Sequence, residues 1–241
     1  MSMKICDIRE EEKVTATVNN ILSTHGRIDG RSVTLLRNIF NLIFLAAGLI
    51  NNAGGQFSSP LANIKGKGFD AVVRNNLTGG FLFSREVYNQ WMCAHGGSIV
   101  NVIADMWMGM PNMGHSGAAR AGMLNLTETA ALEWAPVRVN AIAPGWIDSS
   151  GMDQYPEDVR EAFKKLPEMV PLRRLGTESE VSAAITFLLS PAAAFISGSC
   201  LRVDGAAPNA KRIWGETVGV MGKSTVPFDG FHLARSKKTA Q

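Results

Sequence analysis

The chain has little cysteine, little tyrosine and no long apolar run, and each shortage excludes a class of protein. Three cysteines in 241 residues (Cys6, Cys93 and Cys200) are odd in number, far apart and without Cys-x-x-Cys spacing. That pattern implies neither a disulfide framework nor a metal site, and it suits a reducing cytoplasm. The most apolar stretch, Leu42 to Ile50, is too short to span a bilayer. The opening Met-Ser-Met-Lys-Ile-Cys-Asp lacks the charged-then-apolar layout of a secretory signal, so the sequons at Asn76 and Asn125 read as chance. A formal charge of +3, with Lys and Arg scattered rather than blocked, gives no reason to expect a nucleic-acid or membrane-surface partner.

What is present is apolar enough for one sizeable core: 46% hydrophobic and 19% charged positions fit one α/β domain. Lys4 to Ile8 reads as a short strand. Asp7 with Glu10 three residues on offers a helix cap, and Val14, Val18, Ile21 and Leu22 fall on one face of a helix from Arg9 to His25 that Gly26 stops. Residues 30 to 48 are mixed in period; Leu35, Leu36, Ile39, Phe40 and Ile43 suit an amphipathic helix. Leu49 to Gly55 is a strand opening into a glycine turn, Phe69 to Tyr88 a core helix, and Ser98 to Ile103 a strand of the kind a parallel sheet buries on both faces. Ser116 to Trp134 is a helix with small residues early, Val137 to Ala143 a strand ended by Pro144-Gly145. Helices at Glu157 to Lys165 and Glu178 to Leu189 and a strand at Ser199 to Val203 follow, then a tail from Ala206 with no clear period. Strands alternating with helices predict a doubly wound parallel sheet.

Several spaced motifs then occur in one order. They are Asn51-Asn52-Ala53-Gly54, Asn75-Asn76-Leu77, Gly97-Ser98-Ile99-Val100-Asn101, Arg138-Val139-Asn140-Ala141-Ile142-Ala143-Pro144-Gly145, Phe187-Leu188-Leu189 and Val203-Asp204-Gly205. Together they resemble the short-chain dehydrogenase/reductases. His-Ser-Gly-Ala-Ala-Arg-Ala-Gly at 115 to 122 looks most like the branch of trans-2-enoyl-CoA reductases and citronellol/citronellal dehydrogenase-like proteins. The resemblance implies a Rossmann-like domain over residues 1–206, with 30–48 as an atypical insertion and 207–241 as a tail. It implies an NADP or NAD cofactor with Asp7 and Ile8 against the adenine, Asn52, Ala53 and Gly54 lining the adenosine side, and Pro144, Gly145, Ile147 and Ser149 framing the nicotinamide carboxamide. Glycines after a strand end let a flat ligand approach the backbone closely, although Asn-Gly and Pro-Gly are also ordinary turn signals.

Two departures qualify the resemblance. No Gly-x-Gly-x-x-Gly turn is present to hold a pyrophosphate at a helix N-terminus, and Gly222-Lys223-Ser224 fails as a P-loop because position 217 is Thr. By resemblance the sequence starts at the family's third strand, so two strands and two helices are absent. The strands at 4 to 8 and 49 to 53 would then flank a gap that segment 30 to 48 partly covers, unless the reading frame is fragmentary and folds poorly. The second departure is catalytic. The family's Tyr-x-x-x-Lys is missing, since Met92 and Val159 stand four residues after the only tyrosines, Tyr88 and Tyr155. Ser116 occupies the Tyr position and Arg120 the Lys position, Ala104 or Ile103 replaces the Ser, and only Asn76 is kept.

A serine hydroxyl is too weak an acid to replace a phenol. Arg120 can still hold ribose hydroxyls or an oxyanion through its fork of donors. His115, if it faces the site, titrates in a useful range, with Asp105 as a second titratable neighbour; the competing readings are a loop histidine with no role for His115 and a surface or helix-cap cation for Arg120. Reduction of a double bond conjugated to a thioester tolerates these losses better than alcohol oxidation, because donors stabilise the oxygen and water can protonate carbon. The expected activity is therefore hydride transfer between a nicotinamide and an enoyl-CoA-like or terpenoid acyl substrate, by a homo-oligomer. The alternative is a non-catalytic homologue that acts by binding a partner subunit or an acyl group.

Overall fold

Residues 6–26, 48–149, 151–152, 157–207 and 225–228 are described by the structure, a computed structural model. Helix α1 (Glu11–His25) forms where the apolar residues recur at helical spacing, with Val14 and Val18 buried. It ends at Gly26, whose φ of 68° suits glycine and whose N–H donates to the Leu22 carbonyl at 2.7 Å. The start of α1 departs from expectation. The Asp7 carboxylate accepts from the Arg9 main-chain N–H at 3.0 Å and from its guanidinium at 2.8 and 2.7 Å. Glu10 therefore stands at the N-cap with no side-chain cap bond. Cys6 to Ile8 is no strand, because a turn closed by Glu10 N–H to the Asp7 carbonyl at 3.2 Å bends the chain there. Positions 4–5 and 30–47, on which further expectations fell, lie outside the described residues.

Strand β1 (Gly48–Asn51) leads through a glycine turn to a helical stretch of α2 (Gly66–Val73), a π turn at Arg74–Thr78, α3 (Gly79–Val87), a second π turn at Tyr88–Met92, and α4 (Cys93–His95). The sequence predicts a helix over 69–88; the π turns, which apolar periodicity does not encode, extend and re-aim it. Strand β2 (Ser98–Val102) is buried on both faces as predicted and runs parallel to β1, pairing Leu49 with Ile99, Ile50 with Val100 and Asn51 with Asn101. Helix α5 (Gly114–Glu133) presents His115, Ser116, Ala119, Met123 and Thr127 to the interior. Strand β3 (Arg138–Pro144) follows.

Next come β4 (Ile147–Asp148), α6 (Glu157–Phe163), α7 (Leu166–Met169), β5 (Gly176–Thr177), α8 (Glu178–Leu189) and β6 (Cys200–Val203). The main sheet has the order β1-β2-β3-β6, and β4 pairs with β5 in parallel. Advancing bonds from Ala141 N–H to the Ser199 carbonyl and from Gly145 N–H to the Val203 carbonyl show β3 and β6 running the same way.

The chain divides into two units, 1–141 with 187–200 and 142–186 with 201–241. The first unit holds a core of Val18, Leu49, Val87, Met92, Ile99, Val137 and Val139. In the second, Arg174 donates to both Glu180 oxygens at 2.8 and 2.6 Å, and Glu180 also accepts the Thr177 N–H at 2.9 Å. No helix among the described residues is long and apolar enough to cross a membrane.

Candidate active site

The site in the first unit is built on the turn that follows β1. The π turn points the Asn76 side chain back at this turn, where its amide donates to the Gly55 carbonyl at 2.6 Å and its oxygen accepts the Gly55 N–H at 3.2 Å. A third bond, to the Val72 carbonyl at 2.9 Å, completes its set. Asn76 thus fixes the backbone of the glycine turn, and its donors are committed to main-chain carbonyls.

Arg120 comes to the same turn from α5. Its Nη1 donates to the Val102 carbonyl at 2.6 Å, at the end of β2. A Cβ added to Gly54 would stand 2.6 Å from Arg120 Nη2 and 2.6 Å from Asn76 Oδ1, so only glycine permits this approach. Arg120 Nε is buried with no hydrogen-bond partner among the described residues. Burial, with no ion pair to a carboxylate among the described residues, pulls the guanidinium from 12.5 down to about 10. A desolvated cation without a counter-ion favours an anion or a polarised oxygen nearby.

The neighbours on α5 are less available. Ser116 is fully buried and donates to Gln56 Oε1 at 3.0 Å. His115 is also fully buried, its ring edge-on to Phe57 with centroids 4.5 Å apart. Neither of its ring nitrogens has a hydrogen-bond partner among the described residues. Gln56 and Phe57, which hold these two side chains, carry no periodicity or motif that would mark them in the sequence.

Beneath the turn a buried chain of hydrogen bonds ties the elements together. Asn51 Nδ2 donates to Ser84 Oγ and to Asn101 Oδ1, each at 2.7 Å, and Asn101 Nδ2 donates to Thr127 Oγ1 at 2.9 Å. Thr127 Oγ1 in turn donates to the Met123 carbonyl at 2.8 Å. Ile8, Asn52 and Ala53 are among the residues lining an apolar groove of about 290 Å³ beside β1. Asp7, expected there too, spends its carboxylate on Arg9, which holds it well below the usual carboxylate range.

In the second unit, a Cβ on Gly145 would lie 2.8 Å from Asp204 Cα, so this glycine serves close packing of β3 against the Val203-Asp204 turn. Pro144, Ile147 and Ser149 are half-buried around it. Gly66-x-Gly68-x-x-Ala71 has a loosened version of the dinucleotide spacing. It opens α2 after a 3-10 turn at Leu61–Asn63 rather than after a strand, and a Cβ on Gly68 would meet the Phe57 ring at 2.9 Å.

Comparison with known proteins identifies the family. Residues 45–206 match the family described as enoyl-(acyl carrier protein) reductase. The chain is 34% identical over 210 residues to a zebrafish peroxisomal 2,4-dienoyl-CoA reductase, a match that covers 83% of this chain and 62% of that protein. Among solved structures it resembles a citronellol catabolism dehydrogenase (AtuB) from Pseudomonas aeruginosa at 54% identity and a TM-score of 0.68, over 86% of this chain and 73% of that one. A gluconate 5-dehydrogenase from Burkholderia cenocepacia, solved with NADP and tartrate, has 26% identity and a TM-score of 0.70, over 85% of this chain and 74% of the other. The chain thus spans less than two thirds of the zebrafish relative. On the extent of the family match and the identity to these relatives, the chain belongs to the short-chain dehydrogenase/reductase family.

Proposed function

We propose that the protein is an oxidoreductase that moves a hydride between NADP or NAD and an enoyl-CoA-like or terpenoid acyl substrate. The names of the zebrafish and Pseudomonas relatives support the substrate class. One observation carries the reading: a desolvated, unpartnered edge of Arg120 set against the Gly54 turn, where a hydroxyl or oxyanion completes its donors. Ile8, Asn52, Ala53 and Gly54 suit the adenosine end of a dinucleotide, and Arg120 suits ribose hydroxyls. No glycine-rich phosphate cradle occurs among the described residues, so the fit is confined to those groups. The carboxamide contacts of Pro144, Gly145, Ile147 and Ser149 belong to the proposal by resemblance.

When bound, the nicotinamide supplies or accepts the hydride. The chain's own part is electrostatic. Arg120, charged throughout the neutral range, stabilises negative charge on a thioester oxygen inside a poorly solvated site. Ser116 orients Gln56 and gives up no proton near neutrality. Asn76 holds the turn in place and acts as a positioning residue. His115, buried against Phe57, delivers a proton only if the turn opens, so water is the simpler source for the carbon. This division suits double-bond reduction and leaves alcohol oxidation without a base. A cytoplasmic homo-oligomer belongs to the same proposal: Leu132 and Phe195 are apolar and almost wholly exposed in the first unit, and a second copy would cover them.

Fluorescence titration with NADPH and NADH tests the proposal. Saturation below millimolar cofactor is the expected result, weakened roughly tenfold by Arg120→Met through loss of a charged hydrogen bond. No binding at millimolar cofactor would leave the non-catalytic reading in its place.

A further inference from the structure

We propose that residues 225–228, Thr-Val-Pro-Phe, are a strap that fixes the β4–β5 pair and, resting on the oxidoreductase reading above, thereby positions the nicotinamide end of the cofactor. The strap lies on the start of α8. Thr177 and Glu180 form a reciprocal cap there: Thr177 Oγ1 accepts the Glu180 N–H at 3.2 Å, and Glu180 Oε2 accepts the Thr177 N–H at 2.9 Å. Both side chains have bonding capacity left, and the strap uses it. Thr177 Oγ1 donates to the Phe228 carbonyl at 3.0 Å, and the Phe228 N–H donates to Glu180 Oε1 over a longer 3.5 Å. Arg174, whose Nη1 and Nη2 hold Glu180, gives its Nε–H to Thr225 Oγ1 at 2.9 Å. These contacts are made by main chain and hydroxyl rather than by apolar burial, since Val226 is 91% exposed and Phe228 half-exposed. Pro227 suits such a segment: it disfavours helix at Val226 and brings no N–H that needs a partner.

From the cap, the effect reaches the site through one strand pair. Thr177 ends β5, which lies beside β4 with Ile147 opposite Gly176 and Asp148 opposite Thr177. The Gly176 N–H donates to the Trp146 carbonyl at 2.9 Å, and a Cβ on Gly176 would stand 2.6 Å from Ile147 Cδ1, so the Ile147 side chain rests on β5. Ile147 belongs to the proposed carboxamide frame, with Gly145 before β4 and Ser149 after it. Two residues per strand make a weak pair. It also carries a like-charge load: burial first and the Asp148 carboxylate second push the Glu178 carboxyl upward. The strap supplies the additional ties.

The test uses the full chain with three substitutions: Thr225→Val removes the hydroxyl, Phe228→Pro removes the N–H, and Thr225→Ser keeps the hydroxyl. Hydrogen exchange is followed at the Gly176 and Thr177 amides. Calorimetry compares NADPH and NADH with their adenosine halves, 2′,5′-ADP and ADP. The Val and Pro variants should speed that exchange about threefold and weaken the dinucleotide about fivefold, as loss of one hydrogen bond predicts, with the adenosine half unaffected. Thr225→Ser should match the unaltered chain. Unchanged exchange in the first two variants would overturn the proposal. So would equal weakening of the adenosine half, which marks general loosening, or a Ser variant as impaired as the Val one. If the unaltered chain binds neither dinucleotide, the oxidoreductase reading and the positioning role fall together, while exchange at Gly176 and Thr177 still decides whether the strap fixes β4–β5.

Discussion

The two edges of β1 face opposite conditions. On its inner edge, every residue from Gly48 to Asn51 pairs with β2, Leu49 and Ile99 lie in the same core, and Asn51 reaches through Asn101 to Thr127. On its outer edge, the same four residues meet a groove. Among the described residues, α1 and α3 are packed together by side-chain contacts of their own. Arg85 on α3 bridges to Glu11 on α1 at 2.5 Å, and Val18 and Val87 share the core, so the two helices are held by their own contacts.

Ile99→Ala is the largest break in the inner edge. Ile99 is fully buried in the core, and truncation there costs about 3 kcal/mol in transfer and cavity terms. Urea unfolding followed by tryptophan fluorescence would show this as a lower midpoint. Asn101→Ala comes next, at about 2 kcal/mol, because it strips a partner from the Asn51 amide and from the Thr127 hydroxyl in a buried setting. Restoring the amide with Gln in place of Ala should recover little, since the longer side chain overfills the site. Ile50→Ala, on the side away from β2, should cost less than Ile99→Ala, about 1–2 kcal/mol, because its side chain is only partly buried. A loss equal to that of Ile99→Ala would erase the contrast and show the groove to be filled.

Sequence reading reached the frame and missed the details for identifiable reasons. β2 was legible because a strand buried on both faces must be a continuous apolar run, and α8 because its apolar face and acidic first turn agree. Gly26 marked the end of α1 through its left-handed φ. Asp7 was misread as a cap because nothing in the spacing shows that Arg9, two residues on, takes its carboxylate first. At the candidate site, the position of Arg120 followed from the Arg-Ala-Gly match. Its lack of a counter-ion among the described residues did not, because that depends on which side chains fold around it. Gln56 and Phe57 were invisible because their roles exist only once the turn after β1 meets α5.

The smallest effect concerns pH at the clamp between α1 and α3. Burial acts to raise the Glu86 carboxyl, but hydrogen bonds from Gln90 and Arg85, the Arg85 charge and a bond from Thr15 outweigh it, so the net shift is downward from 4.5. A carboxyl lowered in the folded state binds fewer protons there than in the unfolded chain, so its stabilisation is present above 4.5 and fades as pH falls through the folded value. Thr15 lies on α1 and Glu86 on α3, so protonation loosens one helix from the other without touching the pairing of β1 with β2. Hydrogen exchange between pH 6 and pH 3.5 should therefore show α1 amides losing protection, after correction for intrinsic rates, before β2 amides do, with a change of no more than about 1 kcal/mol. Glu86→Gln should remove the pH dependence and leave α1 at its low-pH protection throughout. If β2 loses protection in step with α1, the outer helix and the inner strand open as one unit, and the two edges of β1 are not independent.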